Sequence, residues 1–223
     1  TAAIGAVLGA ATFVPHLLAL SASSPFDRGE DTGYASYRLV LRSAYPRVGL
    51  PMPVASVDEY DELLRILRGP EDGAASGSPI SWDVRPSETY PTLEFRFLDV
   101  TPWLDTVALV AALARALTAM FADRPAPSPT GLELQLLREN RWRAARFGLD
   151  ARFFELTPVT GRERPARDGI RRLVERLAPI ADRLGDADAL AGLDEILRRG
   201  TAADTMRRIH DEEGSYAAVI RWP

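Results

Sequence analysis

A chain of 223 residues leaves room for one large domain or two small ones. With 46% apolar and 26% charged residues it can bury a real core, and a formal net charge of −4 argues against the clustered basic surface of a nucleic-acid-binding protein. The absence of cysteine excludes disulfides, thiolate metal sites and a cysteine nucleophile, and fits a cytoplasmic enzyme.

Ala2 to Leu20 is almost continuously apolar and long enough for a membrane span. Its Ala and Gly content, the internal Pro15 and His16, and the lack of a basic flank point instead to a buried helix kinked at the proline, with no membrane role. It opens at Thr1 with no cap and no initiator Met, as expected of a fragment or a cleaved product. Residues 21–37 (SASSPFDRGEDTGYASY) read as a long ordered loop, and such loops in compact domains are usually functional. A short helix over Ser36–Ala44 ends before Pro46. Ser56 and Glu59 form a capping-box pattern that predicts a helix over Val57–Leu67. Residues 69–79 (GPEDGAASGSP) read as a flexible surface loop.

Two strands are expected next, over residues 80–85 (ISWDVR) and Thr92–Asp99. The second alternates, with Leu93, Phe95 and Phe97 on one face and Glu94 and Arg96 on the other. Pro102 should open a helix, with Thr101 or Asp99 as its cap, running to about Phe121. Pro125, Pro127 and Pro129 make a stiff connection to a helix over Gly131–Phe147, stopped by Gly148. The remainder reads as largely helical, over Ala166–Leu184, Asp188–Arg199 and Ala202–Glu213, with Gly185, Gly200 and Gly214 as stops. The pattern is α+β, with strands early and a helix-rich C-terminal half, and residues 1–223 read as a single domain.

All 27 basic side chains are arginine, and the arginine fork binds carboxylate and phosphate in bidentate fashion where lysine cannot. Spacing i, i+2 puts Glu94 and Arg96 side by side on one sheet face. A carboxylate beside a guanidinium suits a site that handles Mg²⁺ and phosphate; a cross-strand salt bridge on a solvated face is the competing reading. Arg85 on the neighbouring strand favours the functional one, because two arginines repel unless an anion joins them. The loop adds Arg38, with Ser36 and Thr32 nearby, and its Gly and hydroxyl content could offer donors to an anion. His16 and His210 are too far apart in sequence to argue for a metal pair. There is no G-x-x-x-x-G-K-[ST], no G-x-G-x-x-G and no G-x-S-x-G.

These segments resemble a known family. LALSASSPF followed by GEDTGYASYR is similar to the SANSP…G-x-D-T-G-x-x-S-x-R segment of bacterial carboxylate–amine ligases and plant-type glutamate–cysteine ligases. WDVRP and PTLEFRFLD resemble their WDVRPS…PTLEIRVxD, and RENRWRAARFGLDA their E-N-[KR]-W-x-A-x-R-x-G-x-x-A. GTAADTMRR looks like a degraded form of their late G-x-G-A-x-x-Q-R. The resemblance runs from about Pro15 to Trp222.

The resemblance implies a glutamine synthetase-like fold whose antiparallel sheet holds ATP, Mg²⁺ and glutamate, with this chain as the C-terminal part of the catalytic domain. It implies phosphorylation of the glutamate γ-carboxylate and displacement of that phosphate by an amine, cysteine by default. Glu94 would then be a metal ligand. Arg96 and Arg85 would be catalytic, with Arg85 also holding phosphate. Arg38, Ser36 and Thr32 would bind substrate, and Asn140, Arg141 and Arg207 the nucleotide side, with Arg146 a weaker candidate there. A homodimer is one assembly this reading allows. The family's G-x-E-x-E and H-x-H-x-G strands are absent, and the late block lacks its second Gly and its Gln. A non-catalytic relative or fragment that keeps the fold for assembly or regulation therefore stays open.

Overall fold

The computed structural model describes residues 2–69 and 78–222; most of the expected 69–79 loop lies outside the described residues. The apolar N-terminal run forms two helices, α1 (Ala2–Ala11) and α2 (Val14–Ser21), bent by 53°. The break falls at Thr12–Phe13, upstream of the proline. Thr12 Oγ1 closes the end of α1 on the Gly9 carbonyl at 2.7 Å, and Pro15 sits in the first turn of α2, where its missing N–H costs nothing. Leu17, Leu18 and Ala19 are completely buried.

The loop that follows is pinned by a short hairpin of β1 (Phe26–Asp27) and β2 (Glu30–Asp31) and leads into α3 (Tyr37–Ser43). β3 (Val48–Gly49) comes before α4 (Val57–Arg68), whose cap is the expected one: Ser56 Oγ accepts from the Glu59 amide. The expected 80–85 strand is two pieces. β4 (Ser81–Trp82) runs parallel to β3, and β5 (Val84–Pro86) pairs antiparallel with β6 (Leu93–Phe95). Asp83 lies between the pieces and donates its amide to the Gly49 carbonyl at 2.6 Å.

α5 (Leu104–Asp123) is the central helix. Its Leu109, Leu113, Ala116 and Leu117 face the common core with α1, α2 and α7 (Ala166–Leu184). α5 is long and apolar enough to cross a membrane, and so is the bent α1–α2 pair if taken as one span. The expected cap is not used. The helix begins after Trp103, and the Asp99 carboxylate is instead taken by the Ser23 amide and the Ser24 hydroxyl.

α6 (Gly131–Phe147) carries a full capping box between Thr130 and Glu133 and ends at Gly148. The segment after it, between the helices expected to end at Phe147 and to start at Ala166, was given no element from the sequence and contains the longest strands of the described residues: β7 (Arg152–Leu156) and β8 (Val159–Pro165), an antiparallel hairpin with a register shift between Phe154 and Leu156. The helix expected over Asp188–Arg199 is α8 (Ala187–Ala191) and α9 (Leu193–Arg199), parted at Gly192. α10 (Ala202–Glu213) follows as expected, and α11 (Tyr216–Arg221) was not foreseen. The fold class is mixed helix and strand. Each sheet among the described residues has two strands, so these residues do not themselves form the expected larger antiparallel sheet.

Candidate active site

The β5–β6 ladder sets Arg85 directly opposite Glu94. Glu94 Oε2 accepts from Arg85 Nε at 3.0 Å, from Arg85 Nη2 at 2.9 Å and from Arg96 Nη1 at 3.0 Å. The anion that reconciles the two arginines is thus Glu94 itself. Burial works to raise the Glu94 pKa, but the hydrogen bonds and charges of Arg85 and Arg96 outweigh it and hold the carboxyl below the usual range. Arg85 is buried and is fixed a third time, by donation to the Ile80 carbonyl at 2.5 Å.

β6 stops at Phe95 rather than reaching Asp99, and the arginines of α3 show why. Arg42 donates to the Arg96 carbonyl, and Arg38 Nη1 donates to the carbonyls of Phe97 at 3.4 Å and Leu98 at 3.0 Å. Three successive carbonyls are therefore occupied by guanidinium groups, and ladder pairing there is replaced by α3 lying against the chain. Arg38 Nη1 also lies 3.6 Å from Asp99 Oδ1, while Asp99 Oδ2 holds Ser23 and Ser24 at the loop's start. From α6, Arg141 grips the buried Asp83 through Nε at 2.5 Å and Nη2 at 3.1 Å, and reaches the Ser43 hydroxyl.

Arg38, Arg42, Arg96 and Arg141 thus meet beside the end of β6. Arg38, Arg96 and Arg141 each have a carboxylate partner, in Asp99, Glu94 and Asp83. Arg42 has only a backbone carbonyl among the described residues. Burial lowers its pKa, and the neighbouring Arg38 and Arg96 charges push the same way. Sequence reading missed Arg42; its place four residues after Arg38, on one face of a helix, was the available signal. With Arg85, which shares Glu94 with Arg96, five guanidinium groups here meet three acids, Asp99, Glu94 and Asp83, an arrangement suited to an oxyanion.

The loop residues are committed differently. Thr32 Oγ1 donates to the Pro25 carbonyl and accepts from the Tyr34 amide, which makes it a turn former. Ser36 is buried at the α3 cap position; its amide donates to the Ala145 carbonyl at 2.9 Å and its Oγ has no partner among the described residues. Arg207 from α10 holds Asp31 in bidentate fashion and the Tyr34 carbonyl, while Arg146 lies over the Tyr34 ring. Asn140 faces away from the cluster, exchanging two hydrogen bonds with the Phe154 backbone. The structure thus brings Glu94, Arg85, Arg96, Arg38 and Arg141 into one neighbourhood. Arg207, Ser36 and Thr32 support the loop, and Asn140 is placed in the hairpin joint.

The donor set fits phosphate or carboxylate. It does not by itself fit a complete metal site: no group of three or more His, Cys, Asp or Glu is placed to hold an ion among the described residues. Glu94 Oε1 accepts no hydrogen bond from those residues and could supply one metal-ligand oxygen, no more.

The profile of the glutamate-cysteine ligase family 2 matches residues 3–221. The chain is 40% identical over 215 residues to a protein of Leifsonia xyli subsp. xyli with the provisional name glutamate–cysteine ligase 2, covering 95% of this chain and 56% of that protein. A relative of the same provisional name from Rhodospirillum rubrum is 41% identical over 205 residues, covering 90% of this chain and 51% of its own length. The chain thus spans about half the length of the curated relatives it matches. With the match running almost end to end, the chain belongs to glutamate-cysteine ligase family 2.

Proposed function

We propose that the arginine cluster is the anion-handling part of an ATP-dependent carboxylate–amine ligase site that joins glutamate, through its γ-carboxylate, to an amine, with cysteine as the default. The observation that supports this most is the surplus guanidinium of Arg42 among Arg38, Arg96 and Arg141. In the proposed reaction a γ-carboxylate oxygen attacks the terminal phosphorus of ATP and ADP leaves. The amine nitrogen then attacks the acyl carbon, loses a proton, and phosphate departs with the oxygen it received from glutamate.

The guanidinium groups orient the carboxylate and offset the charge that gathers on the transferred phosphoryl group. Arg42 and Arg96 are assigned to that group, and Arg38 to an anionic group of the amino acid. Arg85 holds Glu94 and Arg96 in register. Mg²⁺ would accompany ATP and screen its phosphates, with Glu94 as one ligand and the others from outside the described residues. A cytoplasmic location follows from the same reading.

A second reading, a non-catalytic relative, is favoured by one observation: Arg207, in the degraded late block, is spent on Asp31 and the Tyr34 carbonyl. A phosphate-release assay separates the two, using the full-length protein with ATP, glutamate and a panel of amines. Release that depends on glutamate and on one amine supports the ligase. No release with any amine, from folded protein, supports the non-catalytic relative.

A further inference from the structure

Along the face of α6 that carries Glu133, Leu137 and Asn140 lies a cavity of about 530 Å³, within the range of small-molecule sites. One wall is a continuous run of rings. Phe121 lies 6.2 Å from Phe13, Phe13 lies 5.6 Å from His16, and His16 meets Phe153 edge-on at 5.1 Å. α7 passes close to this wall because residue 169 is glycine; a β-carbon there would lie 2.9 Å from His16 Nε2. His16 Nδ1 is sealed from solvent without a hydrogen-bond partner among the described residues, an arrangement proteins rarely leave without a role.

The rim carries Arg172 and Arg176, one helical turn apart on α7, both exposed and both without an acidic partner among the described residues. The Arg176 guanidinium carbon stands 5.9 Å from the Phe13 ring centre. The acids that share the lining are already committed. Glu155 pairs with Arg164, and Glu133 accepts from the Thr130 amide at 2.7 Å. Two like charges at i, i+4 repel, and here both line the cavity, with Arg176 beside the Phe13 ring.

We propose that this cavity binds a small organic anion with a flat ring. The ring lies along the Phe121–Phe13–His16–Phe153 wall, and the anionic group is held by the forks of Arg172 and Arg176. The site shares no side chain with the arginine cluster of β5, β6 and α3, and it does not depend on the ligase reading. Aromatic carboxylates and nucleoside monophosphates both have this chemistry.

The test is calorimetric titration of the full-length protein with indole-3-acetate and, separately, with adenosine monophosphate. Saturable binding of either probe is expected, and the one that binds identifies the source of the anion. Arg172→Gln with Arg176→Gln should weaken binding about tenfold or more, the scale of losing charge-assisted hydrogen bonds. Ser128→Trp, which fills the cavity from its exposed rim, should abolish it without touching the arginines. Arg42→Gln should leave it unchanged. The proposal is overturned if neither probe binds, if binding survives both cavity variants, or if Arg42→Gln removes it.

Discussion

Gly33 and Arg146 approach so closely that a β-carbon on Gly33 would collide with Arg146 Nη1. Gly33 also has φ +73°, in the region that penalises L side chains, and this backbone conformation is the main demand for glycine, since the Arg146 guanidinium can swing aside. Gly33→Ala should destabilise the protein by about 2 kcal/mol, combining the left-handed cost with displacement of Arg146 from the Tyr34 ring. Adding Arg146→Ala should recover only the steric part. Thermal unfolding of the three proteins checks this; a Gly33→Ala melt like wild type would mean the loop is not held as described.

Asn140 joins α6 to the hairpin by exchanging both amide bonds with the Phe154 backbone. Asn140→Ala strands a backbone N–H and a carbonyl, and should cost about 3 kcal/mol at the scale of roughly 1–3 kcal/mol per unsatisfied group. ATP affinity of the full-length protein should stay near wild type. A variant that melts normally but binds ATP poorly would restore Asn140 to the nucleotide role the family resemblance implies.

Much of the helical half was legible because its stops are chemically explicit. Gly185 and Gly214 both end helices in the left-handed conformation, and the Ser56 cap was foreseen from its spacing with Glu59. The β7–β8 hairpin was not legible. A register shift interrupts the alternation after Phe154, and the outer strand is largely exposed and polar, so it gives no buried face to read. On β6 the alternation correctly placed Glu94 beside Arg96, yet the strand's end depended on α3 guanidinium groups that no local pattern reveals. Arg42 escaped notice because its charge becomes informative only when Arg38, Arg96 and Arg141 gather round it.

His16 gives the protein an acid sensitivity of definite sign. Burial lowers its pKa from 6.5 to about 4. As pH falls through that window the unfolded chain takes up the proton first, so stability is full above about 6.5, declines below it and levels off under about 4. Denaturant midpoints should therefore drop between pH 7 and pH 5 by more in wild type than in His16→Leu. Equal drops in the two proteins would assign the acid sensitivity to other groups.

Arg42 should separate stability from binding. Arg42→Gln relieves repulsion from Arg38 and Arg96, so it should unfold within about 1 kcal/mol of wild type or later, despite losing its bond to the Arg96 carbonyl. The stabilisation that inorganic phosphate confers on wild type should shrink in the variant. An undiminished phosphate effect would remove Arg42 from the anion site.

The most direct measurement follows the oxygen that the proposed reaction moves. Full-length protein is supplied with ATP, cysteine and glutamate labelled with heavy oxygen in its γ-carboxylate, and the released phosphate is examined by mass. The account predicts one labelled oxygen in each phosphate. It also predicts that Glu94→Gln and Arg96→Gln, both folded by circular dichroism, lose this transfer by at least a hundredfold, about 2.7 kcal/mol of transition-state stabilisation. Phosphate released at full rate without label, or label transferred normally by both variants, would contradict it.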